Sequence, residues 1–273
     1  MKKPKGKKVY SAMKRREARN FYLYTAPWLI GFFVLTLYPI VYSFYLMFTD
    51  MNLTGVGKFI GLENLKYAFT DDPLFIKAFI NTLKYVVMFV PSSIILAFFV
   101  ALLLSKKVKG LGFFRTAFYI PYITSGVAVT ILWGWIYQKD YGIINYVLSL
   151  FGIKGVNWLG DKNIAMISIV ILSLWTIGNN IIIMLAGIQD IPQSYYESAQ
   201  IDGAGAIRQI FSITLPLCTP TIYFNLIVTI IAAFQVFQQP LILTNGGPLN
   251  STYTAAIHMY NNGFLMEKWD MHP

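Results

Sequence analysis

Residues 81–104 read NTLKYVVMFVPSSIILAFFVALLL, and this stretch decides the fold class. Lys84, near its beginning, is its only charged residue. A helix of about 20 apolar residues crosses the hydrocarbon core of a bilayer, whereas a transmembrane β-strand needs only about 10. The stretch is too long for a barrel strand, so it predicts a membrane-spanning helix.

Four further apolar runs of similar length predict four more spans, and none of them contains a charged residue. Together with the first stretch they predict an all-α integral membrane protein, a polytopic bundle of five helical spans. Prolines inside or beside the spans predict kinks, which membrane helices tolerate. The four runs are Ala26–Phe48, Thr116–Tyr137, Asn163–Ala186 and Leu217–Gln239, and the prolines are Pro39, Pro91, Pro121 and Pro220.

The composition agrees with a membrane protein. Hydrophobic residues make up 56% of the chain and charged residues only 12%, whereas soluble domains carry about 25% charged residues. Cys218 is the one cysteine of the sequence, so an internal disulfide is excluded.

Positive charge is concentrated in two segments. Nine of the 22 Lys and Arg residues precede residue 20, and Lys106, Lys107, Lys109 and Arg115 follow the second span. A basic tail can bind nucleic acid, but directly before an apolar run it more often marks a cytoplasmic flank beside anionic lipid. We therefore expect a multi-pass protein of a prokaryotic plasma membrane, in contact with lipid and without a nucleic-acid partner. We expect residues 1–20 to form a basic cytoplasmic tail and residues 21–273 to form the transmembrane domain, which includes a cytoplasmic loop at residues 187–216.

The connection between the fourth and fifth spans, residues 187–216, then lies in the cytoplasm. It is longer than the usual helix–helix connection of about two to eight residues. Its start signals predict a first helix, which either Asp190 or Ser194 together with Glu197 could cap. Gly203 and Gly205 suit a positive φ at the end of that helix.

A second short helix is predicted over Ala206–Phe211. Its apolar side would be formed by Ile207, Ile210 and Phe211. Pro216 marks the entry to the fifth span. The connection therefore predicts a helix–turn–helix protrusion suited to docking a soluble partner.

The same connection contains a spaced motif. It reads Glu197-Ser198-Ala199-Gln200-Ile201-Asp202-Gly203, then nine residues, then Ile213-Thr214-Leu215-Pro216. This resembles the EAA motif of binding-protein-dependent ABC importer permeases, which is Glu-Ala-Ala, three residues, Gly, nine residues and Ile-x-Leu-Pro. Ser198 is the one departure. The resemblance implies that the loop inserts into a cleft on a cytoplasmic ATPase subunit, and that the coupling residues are Glu197, Ser198, Ala199, Asp202, Gly203, Ile213, Leu215 and Pro216.

Other segments resemble the carbohydrate-uptake branch of that family. They are Phe59–Asn64, Asn81-Thr82-Leu83, Phe114-Arg115-Thr116, Ile120-Pro121-Tyr122 and Thr244-Asn245-Gly246-Gly247-Pro248. The resemblance implies a permease that pairs with a second, different permease, with cytoplasmic ATPase subunits and with an extracytoplasmic solute-binding protein. It also implies a sixth span, which the sequence ending at Pro273 lacks, so we expect a truncated or frame-shifted product.

The sequence lacks the signatures of several chemical activities. It contains no glycine-rich phosphate loop of the form G-x-x-x-x-G-K-[ST], so we expect that ATP is used by a partner subunit and that this chain binds no cofactor. His258 and His272 are far from the cysteine, so no metal site is predicted. No Ser/His/Asp arrangement indicates a hydrolase, and we expect no enzymatic activity and no catalytic residue. Acidic residues are missing from the spans, which disfavours an ion-driven carrier.

A sugar needs amides and aromatic faces at membrane depth. Such groups form either interhelical hydrogen bonds or the wall of a cavity, and the sequence leaves both possibilities open. By resemblance, the regions around Asn179 and Gln235 align with the family's translocation path. The candidate residues are Thr176, Asn179, Asn180, Phe234, Gln235 and Gln238.

Two alternatives remain at this stage. One is an importer for another solute such as a polyamine, because the coupling motif is shared across substrates. The other is a membrane scaffold without transport, which predicts no stable ATPase partner.

Overall fold

The computed structural model describes residues 12–52, 55–105 and 110–265. Two compact units divide the chain, with the boundary between Asp71 and Asp72. The first eleven residues of the predicted basic tail lie outside the described part, as do Lys106, Lys107 and Lys109.

The first unit begins with a long helical rod. Helix α1, Ala12–Gly31, continues through a π-helical turn, Phe32–Leu37, into α2, Tyr38–Leu46. Pro39 stands in the first turn of α2. Proline cannot donate a hydrogen bond to the carbonyl four residues earlier, and a wider turn ahead of it accommodates the ring.

A short hairpin and a helix follow in this unit. Strands β1, Thr49–Asn52, and β2, Gly55–Phe59, pair antiparallel with Thr49 opposite Phe59, and α3 covers Glu63–Thr70. The Asn64 amide donates to the carbonyls of Met47 and Thr49 and so ties α3 to the hairpin. The hairpin is a small addition to a fold that is otherwise helical, as predicted.

The second unit is built around α4, Phe75–Ser105. One face of α4 is buried, and its members recur every three or four residues, as on one side of a helix. The opposite face carries exposed aliphatic and aromatic side chains. The buried set includes Ala78, Tyr85, Val90, Ala97, Ala101 and Leu104, and the exposed set includes Phe79, Leu83, Val87 and Leu103.

Within its described residues, this unit contains eleven further helices. They are α5 Leu111–Ile123, α6 Gly126–Ile136, α7 Ile143–Leu150, α8 Ala165–Trp175, α9 Gly178–Gln189, α10 Gln193–Ile201, α11 Ala206–Gln209, α12 Leu215–Leu217, α13 Thr219–Phe234, α14 Gln238–Thr244 and α15 Ala255–Tyr260. π-Helical turns at Ile210–Thr214 and Asn261–Leu265 follow α11 and α15.

Of the three buried clusters among the described residues of this unit, two join α4 to its neighbouring helices. The first joins Ala97, Phe98 and Ala101 of α4 to the α9 residues Ile181 and Met184. The second joins Tyr85, Val86 and Val90 of α4 to Met166 and Ile169 of α8, and to Ala233 and Val236 at the end of α13.

Three of the five predicted spans are each formed by two helices that meet at a sharp bend. The pairs α5/α6, α8/α9 and α11–α12/α13 bend by 98°, 52° and 65°. Pro121 lies one turn before the first break and Pro220 directly after the third, as the proline signal predicts. The second break, at Thr176 and Ile177, has no proline. Two helices of the described residues could cross a membrane unbroken, and up to five crossings result if each bent pair counts as one.

Candidate coupling loop and solute path

The loop between α9 and α13 has a helix on each side of a tight turn. Helix α10 begins directly after Pro192, and α11 continues through the π-helical turn into α12. The second helix therefore extends beyond the predicted Ala206–Phe211. Predicted caps at Asp190 and Ser194 were wrong, because Asp190 ends α9 and no side chain caps the start of α10.

Gly203 ends α10 with a left-handed backbone, φ +74°. Its N–H donates to the carbonyl of Gln200 at 3.0 Å, and the Ala204 N–H donates to that of Ala199 at 2.8 Å. These two bonds form a Schellman motif, which satisfies the last carbonyls of the helix. A Cβ on Gly203 would meet no atom of this chain within 4 Å, so backbone conformation rather than internal crowding explains the glycine.

Gly205 differs from the prediction. Its φ of −67° and ψ of 166° are ordinary extended backbone, and it stands at the N-terminal end of α11. The prediction of a positive φ there was wrong, because the single residue Gly203 already reverses the chain.

The turn presents an apolar tip with acidic neighbours. Ile201 is 87% exposed, Ile207 74% and Phe211 62%. Glu197 and Asp202 are also exposed. Apolar side chains at this exposure favour an interaction surface.

The predicted coupling residues fall into two groups. Glu197, Ser198, Asp202, Gly203 and Pro216 are exposed, whereas Ala199, Ile213 and Leu215 are partly buried. Leu215 and Ile210 pack on the first buried cluster. A bond of 2.9 Å between the hydroxyls of Tyr196 and Thr214 joins α10 to the helix after the turn. The loop is therefore attached to the bundle through its base, while its tip points away.

The predicted solute-path residues of span four lie at its break. Thr176 follows the last residue of α8, and its hydroxyl donates to the Ser173 carbonyl at 2.9 Å. Asn179 is partly buried in the first turn of α9. Asn180 instead reaches α13, where its amide donates to the Thr229 hydroxyl at 2.8 Å.

Asn225 reinforces this link between α9 and α13. Its amide N–H donates to the Asn180 carbonyl at 3.2 Å, while its buried Oδ1 has no hydrogen-bond partner. Thr229 was not a predicted site residue, because a threonine in a membrane helix usually bonds a carbonyl of its own preceding turn.

The predicted path residues of span five lie around a second interruption. Phe234 ends α13, Gln235 is exposed, and Gln238 begins α14. The Gln238 side chain lies where a Cβ on Gly126, the first residue of α6, would be. Gln238 therefore lies against the break between α5 and α6. Helix breaks of this kind place free backbone groups and side chains beside a cavity at membrane depth in many transporters.

Two segments that resemble the carbohydrate-uptake branch come together in space. The Asn81 amide donates to the carbonyls of Asn250 and Tyr253 at 2.8 and 3.1 Å. The Thr82 hydroxyl accepts from the Ala255 N–H at 2.9 Å. These bonds attach the segment after the Thr244–Pro248 turn to the first turns of α4.

Broken helices are thus arranged around a long central span, with a structured loop between two of the spans. The fold matches that of a chain in the crystal structure of a bacterial ABC transporter involved in the import of the acidic polysaccharide alginate, with a TM-score of 0.74 and 25% identity. The match covers 95% of this chain and 90% of that one. A chain in the alginate transporter complexed with its pentasaccharide-bound periplasmic protein gives a TM-score of 0.75, at 24% identity, over 97% and 89% of the two chains.

Residues 73–268 match the model of the binding-protein-dependent transport system inner membrane component family, and this chain belongs to that family. A relative in Bacillus subtilis, the probable ABC transporter permease protein YesP, is 38% identical over 92% of this chain and 82% of its own length. The sulfoquinovosyl glycerol transport system permease SmoG of Agrobacterium fabrum is 35% identical over 88% and 79%. The arabinooligosaccharides transport system permease AraP of Bacillus subtilis is 34% identical over 89% and 78%.

Membership confirms the predicted transport permease over the scaffold alternative. The chain is integral to the membrane, and its family works in systems that contain a binding protein and an ATPase.

Proposed function

We propose that this chain is one of two different permease subunits of a prokaryotic ABC importer for a sugar or oligosaccharide. The observation that carries the proposal is the EAA-type loop, which presents an exposed tip on a rigid base within a permease of known family. The sugar class is supported by relatives such as SmoG and AraP, whose names specify a glycoside and an oligosaccharide.

Coupling is proposed to run through the turn at Gly203. Glu197 and Asp202 give the exposed face of the loop negative charge, which suits a basic rim on an ATPase subunit. Ser198, Ala199 and Gly203 are small residues, so they leave room for the partner to approach this surface of the loop closely. Ile213, Leu215 and Pro216 connect the tip to the base of α13, so a displacement of the tip is passed to the helix that carries Asn225 and Thr229.

The solute path is proposed to pass the helix breaks. Thr176, Asn179 and Asn180 stand at the break of span four, and Phe234, Gln235 and Gln238 at the interruption after α13. Asn179 and Gln235 are the better candidates for direct contact, because the Asn180 side chain is already engaged with Thr229. ATP would be used by the partner subunit, and this chain would bind no cofactor and catalyse no reaction.

The proposed orientation has the N-terminus and the EAA-type loop in the cytoplasm, and the positive charge of residues 1–20 supports it. The solute-binding protein would then approach the opposite end of the bundle.

Uptake by membrane vesicles tests the proposal. Vesicles containing the complete transporter and its binding protein are offered radiolabelled oligosaccharides, with a polyamine as the competing class. We expect ATP-dependent uptake of a sugar, and Asn179→Ala and Gln235→Ala should change its rate or specificity. Uptake of the polyamine alone would contradict the sugar class, and unchanged sugar transport in both variants would reject the two contacts.

Co-purification tests the assembly. In mild detergent the chain should retain an ATPase and a second permease, and a Ser198→Cys variant should cross-link to the ATPase. Isolation of a complex with two copies of this chain would contradict the heterodimer.

A further inference from the structure

A cavity of about 860 Å³ lies between the end of α4, the start of α5 and the loop helices α10 and α11. Its apolar side continues onto the exposed face of α4, where Phe99 is 54% and Leu103 66% exposed. An exposed apolar face on a membrane-spanning helix is suited to contact with lipid chains. The apolar side is formed by Phe99, Leu102, Leu103 and Leu111.

The lining also includes polar side chains and a cation. Arg115 lines it from α5, and Gln193 and Gln200 line it from α10. No carboxylate is among the lining residues that the structure describes. Glu197 and Asp202 of the same loop do not line the cavity.

Among the residues that line this cavity, Arg115 has incomplete hydrogen bonding. Its Nε atom is buried and has no hydrogen-bond partner, and no described carboxylate forms an ion pair with it. A buried guanidinium nitrogen without a partner is costly, and natural proteins rarely leave one unexplained. The Arg115 guanidinium therefore has no anionic partner among the described residues.

We propose that this cavity binds the phosphate of an anionic phospholipid. The guanidinium fork matches phosphate oxygens in a bidentate geometry, and the two glutamine amides add neutral donors. Basic pockets beside the interfacial ends of membrane helices bind acidic lipid headgroups in other proteins. The adjoining apolar wall distinguishes a lipid from a free phosphate, because it offers a surface for the acyl chains.

Binding there has a mechanical consequence for the coupling loop. Arg115 belongs to α5, whereas Gln193 and Gln200 belong to α10. A phosphate held by both helices would brace the loop against the bundle next to the Tyr196–Thr214 bond. The complete transporter should therefore require acidic lipid for full coupled transport.

Native mass spectrometry of the intact transporter complex tests the site. The complex is equilibrated with phosphatidylglycerol in a phosphatidylcholine background. We expect Arg115→Gln to lower phosphatidylglycerol occupancy about tenfold, the loss of a charge-assisted hydrogen bond. Arg115→Lys should lower it less. Arg208→Gln is the matched control, because Arg208 is an exposed arginine of α11 outside the cavity, and it should retain the lipid.

A second measurement leaves Arg115 in place, in case its variants fail to assemble. A Gln200→Cys variant is labelled with a water-soluble maleimide, while the native Cys218 is buried. Phosphatidylglycerol should slow the labelling of residue 200, whereas phosphatidylcholine and inorganic phosphate should not. Equal protection by inorganic phosphate, or equal lipid occupancy in wild type and Arg115→Gln, would overturn the proposal. Both readouts measure bound lipid and do not depend on which solute is transported.

Discussion

The side-chain amide of Asn180 donates to the hydroxyl of Thr229 across 2.8 Å, and this bond joins α9 to α13. The two residues are 49 positions apart in sequence, on either side of the coupling loop. Any force that the loop passes to α13 therefore also acts on the broken fourth span.

We expect Asn180→Ala and Thr229→Val each to destabilise the bundle by about 1 kcal/mol, since interhelical hydrogen bonds in membranes contribute about that much. The double variant should lose less than the sum of the two. Thermal unfolding of the purified complex measures this cycle. Thr116→Val is the control, because the exposed Thr116 hydroxyl bonds only within its own helix. Strict additivity of the two changes would show that the bond contributes nothing.

Replacing Gly203 should uncouple the transporter. Gly203→Asp places an L-residue at φ +74°, where a non-glycine residue costs about 1–2 kcal/mol, and adds a side chain to the proposed docking face. We expect uptake to be abolished while the amount of chain in the membrane is unchanged. Gly205→Ala is the matched control, since its backbone is extended and a Cβ there meets nothing. Normal uptake by Gly203→Asp would remove the coupling role from this turn.

Gly178 is required for the approach of α5 to α9. A Cβ at this position would lie 2.5 Å from the Phe118 carbonyl oxygen and 3.0 Å from the Tyr119 Cα, both backbone atoms. We expect Gly178→Ala to destabilise the bundle by about 1–3 kcal/mol through overpacking, measured by thermal unfolding in detergent. Gly112→Ala, at an open position of α5, should have little effect. Equal stability of the two variants would mean that α5 moves away from the added Cβ without any loss of bundle stability.

Asn145 holds the connection between α6 and α8 in place. Its amide donates to the carbonyls of Lys139 and Val156, and its Oδ1 accepts from the Val156 N–H and the Trp158 Nε1. Each bond contributes about 1 kcal/mol, so Asn145→Ala should release this segment.

Limited trypsin digestion of the purified complex checks this expectation. Cleavage after Lys154 should become faster in Asn145→Ala, whereas Asn157→Ala should digest like wild type, because Asn157 bonds only to nearby Gly160. Unchanged digestion of the Asn145 variant would show that packing alone orders the connection.

Several features of the fold were predictable because they depend on short stretches of chain. The length and polarity of residues 81–104 are enough to predict a spanning helix, and α4 contains this stretch. Gly203 of the EAA-type loop likewise predicted the turn at its own position, since few other residues accept a positive φ. The break at Thr176 gave no such signal, because no proline marks it. The close approach of Gly178 to the backbone of α5 beside it is visible only in the tertiary structure.

By itself the sequence determined that the chain enters a membrane as helices and that one connection resembles a coupling loop. Hydrophobic length and fixed local spacing are sufficient for those conclusions. Only the tertiary structure decided which polar side chains have a hydrogen-bond or ion-pair partner on another helix and which have none among the described residues. Thr229 and Asn180 could each have bonded within their own helices, and Arg115 could have paired with Glu197 of α10. Their partners depend on how separate helices pack, and that information is not carried by any one segment.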